Sequence, residues 1–311
     1  MQTYHLVSPG MQVTIADYGA RIIDWVVQVD GQPRHIVLGH KVLQEYYSDP
    51  FYLGCVAGPF ANRIGNGQVE VDKQVIQLSI NDGCNHLHGG PNALDRQTWE
   101  VSEQSDTELT LHWQGEDGWN GYPGPINFTV KYAIIGNALY MTMNSQSPKA
   151  TVCGPTGHSY FNLNGADSGL SGLAQTIVSN ATHFVPKDED GLPKDKPKAV
   201  DQSLFDFSKP VRLDQHSAWA ILDHNFIFAD TVQQTRITSA DEKLALTVTS
   251  DYPAAQFYTG FYLGDQFEQN QGICVEPHFG ADAPKSSGGI QGILQPNTVQ
   301  QHSIVYRIEL A

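Results

Sequence analysis

FTVKYAIIGNALYMTM, Phe128 to Met143, alternates apolar and polar side chains over Phe128 to Ile134 and again over Ala138 to Met143, with Gly136-Asn137 between the two runs. A period of two sends successive side chains to opposite faces of a strand, and a Gly-Asn pair suits a tight reversal. The stretch predicts a β-hairpin. The same signature recurs outward in both directions. Gln68 to Ile80, QVEVDKQVIQLSI, reads as two strands around Asp72-Lys73, and Leu109 to Trp113 alternates after the turn signal Ser105-Asp106. Thr235 to Thr238 and Leu244 to Thr249 flank Ala240 to Lys243, and His302 to Leu310 closes the chain with a further strand. No segment offers an amphipathic helix of three turns. The expectation is an all-β protein, a large antiparallel β-sandwich in one domain spanning 1–311.

Size and composition agree with that expectation. The chain has 311 residues, and its 29 glycines and 17 prolines are spread along it as turns between short strands. Val185 to Pro210, rich in Pro, Lys and Asp, reads as a long surface loop anchored by Leu204-Phe205-Asp206-Phe207 rather than a linker between domains. Lys and Arg number 18 against 33 Asp and Glu, a formal charge of −15. This balance disfavours nucleic acid and anionic membrane surfaces as partners, and weighs mildly against a phosphorylated substrate. Cys55, Cys84, Cys153 and Cys274 are far apart and form no CxxC pair, as expected of free thiols in a reducing cytoplasm. The N-terminus lacks the basic start and apolar run of a signal peptide, and no run of about 18 apolar residues is present to span a membrane. A cytoplasmic protein, monomeric or homodimeric, is expected.

Five segments place ionisable groups beside strand ends or Gly/Pro turns, where a rigid sheet commonly carries function: GPFANRIG (58–65), NHLHGG (85–90), GHSYFN (157–162), DHNF (223–226) and CVEPHFGADAP (274–284). Glu276 follows an apolar run and precedes Pro277, which suggests the end of a buried strand. A desolvated carboxylate there has a raised pKa and suits a general base, whereas the plain alternative is a surface ion pair. His158 offers an acid near neutral pH or a structural hydrogen bond. Asp223 fits a hydroxyl-rich ligand or a turn. Arg63, beside Asn62 in an apolar setting, needs a partner if buried. His86 and His88 would share a face in a strand, as an H-x-H metal element requires, with His158 or Glu276 as third ligand. The double glycine at 89–90 interrupts that strand, so a polar ligand contact or structural role for one histidine stays open beside the metal reading.

With QFYTG (256–260) and DGWNGYPG (117–124), these motifs resemble the aldose 1-epimerase (galactose mutarotase) family in type and order, over most of the chain. The resemblance implies the galactose mutarotase-like supersandwich, a large antiparallel β-sandwich, and an isomerase acting on a free aldohexose without a cofactor. It implies Glu276 as general base and His158 as general acid. Arg63, His88 and Asp223 would bind sugar hydroxyls, with Asn62 and Gln256 in the same pocket, and no metal. His86 is not carried over. Two departures stand beside the catalytic positions: Gly157 where the family usually has Asn, and His278-Phe279-Gly280 where a Gln-containing run is usual. Pro59 replaces an Arg often found there. Two other readings compete: a glycoside hydrolase using Asp223 and Glu276 as its carboxylate pair, and a non-catalytic sugar-binding protein on the same fold.

Overall fold

The hairpin expected over Phe128 to Met143 forms the third and fourth strands of the main sheet. In the computed structural model, which describes residues 1–228, 232–286 and 291–311, strands Ile126–Ile135 and Ala138–Gln146 pair antiparallel with Ile135 opposite Ala138. The turn between them starts at Gly136, whose φ of +63° a residue with a β-carbon adopts only at a cost. Outward from this hairpin the antiparallel sheet has nine strands among the described residues. Their spatial order is Glu100–Gln104, Glu108–Gly115, Ile126–Ile135, Ala138–Gln146, Val299–Leu310, Leu244–Ser250, Gln233–Thr238, Thr176–Ser179 and Val211–Arg212. The closing strand therefore inserts next to the central hairpin.

A four-stranded antiparallel meander, Thr3–Ser8, Met11–Ala16, Arg21–Val29 and Gln32–His35, forms a second sheet. A five-stranded sheet carries Lys198–Ala199, His183–Val185, Asp223–Ile227, Ala254–Tyr258 and Cys274–His278 in that order. One continuous cluster of buried side chains joins the three sheets, because each supplies apolar residues at alternate positions. Trp25 of the meander meets Tyr306 of the large sheet edge-on at 6.2 Å, and Phe226 stacks on Phe257 at 4.3 Å beneath the five-stranded sheet. Full burial of one such ring contributes on the order of 2–3 kcal/mol. The α-helical content of the described residues is one turn, Ala283–Ser286.

Several expectations shift by a few residues. The strands predicted in 68–80 are Gln68–Val71 and Gln74–Gln77, joined by Asp72 and Lys73, both at positive φ as a primed hairpin turn requires. The second stops short of Ile80 because Ser79 N–H turns to donate to Asn120 O. In the Val185 to Pro210 segment, Phe207 is buried and Phe205 packs on the core. Glu276 lies in the middle of its strand rather than at the end. The following Pro277 is tolerated because Cys274–His278 is the edge of its sheet.

Candidate active site

The five-stranded sheet presents one polar face, and its register explains which residues meet there. Gln256 lies directly opposite both Asn225 and Glu276 on the neighbouring strands, and Asp223 lies opposite Tyr258 one row further. Directly opposed side chains in an antiparallel pair share a face. Short ladders bring the remaining groups over it. Arg63–Ile64 pairs with His86–Leu87, and Thr156–Gly157 pairs with Val56–Ala57 just before His158. A cavity of about 140 Å³ results, lined by Asn62, Arg63, His88, His158, Asp223, Gln256 and Glu276. All the residues singled out for acid–base work and sugar binding thus reach one place.

His158 and Glu276 face each other at the cavity floor, Nε2 to Oε2 3.4 Å, with both side chains buried. Burial disfavours charge on each. It raises the Glu276 carboxyl well above its ordinary value, with the charge of Asp223 adding to the effect and Arg63 opposing it. It lowers the His158 imidazole to about 4. A chain of polar contacts runs along the wall above them. Asn62 Nδ2 donates to Gln256 Oε1 at 3.2 Å, Gln256 Nε2 donates to Asp223 Oδ1 at 2.7 Å, and Lys187 Nζ donates to Asp223 Oδ2 at 2.7 Å. Burial pushes the Asp223 carboxyl up, but Lys187 and Gln256 outweigh it and keep it below its ordinary value. Arg63, for which the sequence demanded a partner, donates Nε–H to Asp82 at 2.7 Å.

The two histidines of NHLHGG part company. The strand ends at Leu87 and His88 takes a φ of +49°, so the shared face expected of an H-x-H strand is lost. His86 is buried away from the cavity, its Nδ1–H donating to Ser79 O at 2.6 Å and its Nε2 accepting from the Tyr122 hydroxyl at 2.7 Å. Burial lowers its pKa to about 4. Gly89 follows at φ +97°, where a β-carbon would lie 1.9 Å from Gly58 O. Only glycine fits there. The DGWNGYPG segment braces this turn, since Asn120 Nδ2 donates to Gly89 O at 2.9 Å.

His88, His158 and Glu276 place ligand-type atoms within 4.8 Å of one another. The donor chemistry fits a metal ion poorly. His88 Nδ1 accepts the Asn62 backbone N–H at 3.2 Å, so the neutral ring carries its proton on Nε2, the nitrogen a metal would need. Metal-bound histidines normally donate through the second nitrogen instead. The same tautomer makes His88 Nε2–H a donor for a hydroxyl ligand.

Both departures from the family pattern have local explanations. A β-carbon on Gly157 would meet the Tyr306 hydroxyl at 3.0 Å and Met141 Sδ at 3.1 Å, so a larger residue there requires both side chains to shift. His278 is buried beside the cavity without lining it, and its Nδ1 accepts the Gly280 N–H at 3.0 Å. Sequence reasoning missed the aromatic lining: Phe51, Tyr52, Tyr160, Tyr258 and Tyr262. Tyr160 and Tyr258 stand two residues beyond His158 and Gln256, so alternation within GHSYFN and QFYTG pointed to them. Phe51, Tyr52 and Lys187 carried no such signal.

Comparison with known proteins agrees with this geometry. The sequence model described as aldose 1-epimerase matches residues 2–307. The aldose 1-epimerase of Escherichia coli K12 is 32% identical over 91% of this chain and 88% of its own length. The galactose mutarotase of Homo sapiens is 30% identical over 100% of this chain and 95% of its own. Among solved structures, a galactose 1-epimerase from Lactobacillus acidophilus superposes with a TM-score of 0.86 at 27% identity, covering 98% of this chain and 93% of that one. An aldose epimerase homologue from C. elegans shares the fold with a TM-score of 0.93 at 23% identity, covering 100% and 99%. The chain belongs to the aldose 1-epimerase family.

Proposed function

We propose that this member of the aldose 1-epimerase family binds a free hexose such as galactose or glucose in the cavity, and that Glu276 and His158 interconvert its anomers. The observation that carries this reading is the buried pair, 3.4 Å apart. Sharing one proton, the pair has two forms without net charge: carboxyl with neutral imidazole, and carboxylate with imidazolium. Ring opening converts the second form into the first. Glu276 takes the proton of the anomeric hydroxyl while His158 protonates the ring oxygen. The C1–O5 bond breaks and its electrons stay on O5, leaving the C1 aldehyde. Rotation about C1–C2 exposes the other carbonyl face, and closure runs the two transfers backwards. The pair ends as it began, so no cofactor and no net proton are consumed.

Arg63, His88, Asp223, Gln256 and Asn62 act as sugar contacts in this reading. Burial of Asn62 and Gln256, and direct hydrogen bonds linking them to Asp223, fix these side chains before a ligand arrives, which limits the ordering cost of binding. A glycoside hydrolase would leave His158 without a role, and Asp223 is already engaged by Lys187 and Gln256. A binding protein has no use for a buried acid–base pair at the cavity floor. The continuous core supports a single domain, and four unpaired thiols support a cytoplasmic location. None of the described helices is long and apolar enough to cross a membrane.

The test uses two substrates. Nuclear magnetic resonance should show accelerated exchange between the α and β signals of galactose, while methyl α-galactoside, which has no anomeric hydroxyl proton to lose, stays intact. Release of methanol without anomer exchange would favour the hydrolase.

A further inference from the structure

Two tyrosines of the cavity lining, Tyr52 and Tyr262, belong to none of the motifs, and Tyr52 is the one that stands beside the site histidines. Its ring centroid lies 4.8 Å from His88 and 5.8 Å from His158. The backbone of Tyr52 has a φ of +57°, in the left-handed region that an aromatic residue occupies at a cost on the order of 1–3 kcal/mol. Such a conformation persists where its surroundings over-determine it, and they do so here. Asp49 accepts the Phe51 and Leu53 N–H groups at 3.0 and 2.8 Å, closing the turn on both sides of Tyr52. Arg21 Nη1 donates to Asp49 at 3.0 Å and to Leu53 O at 3.1 Å, with the ion pair fully buried. Gly54 N–H then donates to His158 O, and His158 N–H to Cys55 O, tying the turn to the acid–base pair.

Burying a charge pair is an expensive way to hold a surface turn. What the clamp delivers is the side chain of Tyr52 beside two site histidines, with a hydroxyl that makes no hydrogen bond to any described residue. It is a donor with an open position in a cavity built for hydroxyl groups.

We propose that Tyr52 is a sugar-contact residue, its hydroxyl hydrogen-bonding one hydroxyl of the bound aldose while the Arg21–Asp49 ion pair holds it in place. The inference rests on the sugar-binding reading of this cavity. Tyr52→Phe removes only the oxygen, and because that oxygen bonds to no described protein atom the thermal midpoint stays unchanged. KM for galactose rises about 3- to 10-fold, the range for loss of one neutral hydrogen bond, with kcat within about 2-fold. The same comparison is then made with 2-, 3-, 4- and 6-deoxygalactose. The sugar lacking the partner hydroxyl shows no difference between wild type and Tyr52→Phe, and the others keep it. An unchanged KM for galactose overturns the proposal, as does an equal rise for all four deoxy sugars, which would report repacking. Wild-type protein inert toward every sugar would sink the reading of the site itself, a separate outcome.

Discussion

Asp49→Asn tests whether the buried clamp holds the turn that carries Tyr52. The aspartate uses both oxygens as acceptors: Oδ1 from Phe51 N–H, and Oδ2 from Leu53 N–H and Arg21 Nη1. Asparagine has one oxygen, so in either orientation its amide NH₂ faces a backbone donor. Arg21 keeps three carbonyl partners, Tyr18 O at 3.0 Å, Leu53 O at 3.1 Å and Asp95 O at 2.8 Å, which soften the loss. Breaking a buried ion pair by altering one partner costs about 3–5 kcal/mol, and the remaining carbonyls place this case near 3. At roughly 2–4 °C per kcal/mol, the melting temperature falls by about 6–12 °C. Calorimetry on the wild type, Asp49→Asn, Arg21→Met and the double variant completes a cycle. The double variant should lose less than the two single losses added, by more than about 1 kcal/mol. A melting temperature for Asp49→Asn within 2 °C of wild type, or strictly additive losses, would refute the reasoning.

Two further outcomes follow from the same structure. Gly157→Asn restores the residue usual in the family, yet Tyr306 and Met141 already fill the space, so stability in urea should drop by about 1–3 kcal/mol; an unchanged midpoint would show that the large sheet yields readily. Acid unfolding should be steep. His86 and His158 are held near 4 and His278 near 3, with His88 also well below 6.5, so the unfolded chain binds their protons first as the pH falls below 6.5. Asp95, raised to about 6, and Glu276 oppose this by taking up protons in the folded state. With His224, also held near 4, five groups against two leave a net uptake of about three protons on unfolding, a loss of about 4 kcal/mol per pH unit between roughly pH 6 and 4. Stability measured in urea across that range checks the slope, and a flat profile would mean that these histidines are not neutral in the fold.

Much of the architecture was legible because period-two alternation is a local signal, and the central hairpin, the 68–77 hairpin and the closing strand all carry it. Most of the site was legible for a different reason: its residues lie inside short motifs whose order resembles a known family. What escaped was set by contacts distant in sequence. Arg21 and Asp49 are 28 positions apart and Lys187 and Asp223 are 36 apart, and nothing in either neighbourhood announces the partner. Tyr52 lines the cavity from a turn at positive φ, and the N–H groups on either side of it donate to the remote clamp's Asp49. His88 turned away from His86 for a local reason: the chain leaves the strand at Leu87, before the glycines rather than at them. Glu276 was placed at a strand end because proline usually stops a ladder, and the edge position of its strand removes that constraint.

The central claim is that Glu276 and His158 pass one proton through the sugar ring without a metal. Polarimetry of freshly dissolved α-D-galactose in chelator-containing buffer, with wild type and Glu276→Gln, tests it most directly. The account predicts rapid approach to the equilibrium rotation by wild type and a loss of at least about 100-fold in the variant, the lower range for removing an acid–base group. Full activity in Glu276→Gln, or wild-type activity abolished by the chelator and restored by a divalent ion, would contradict it.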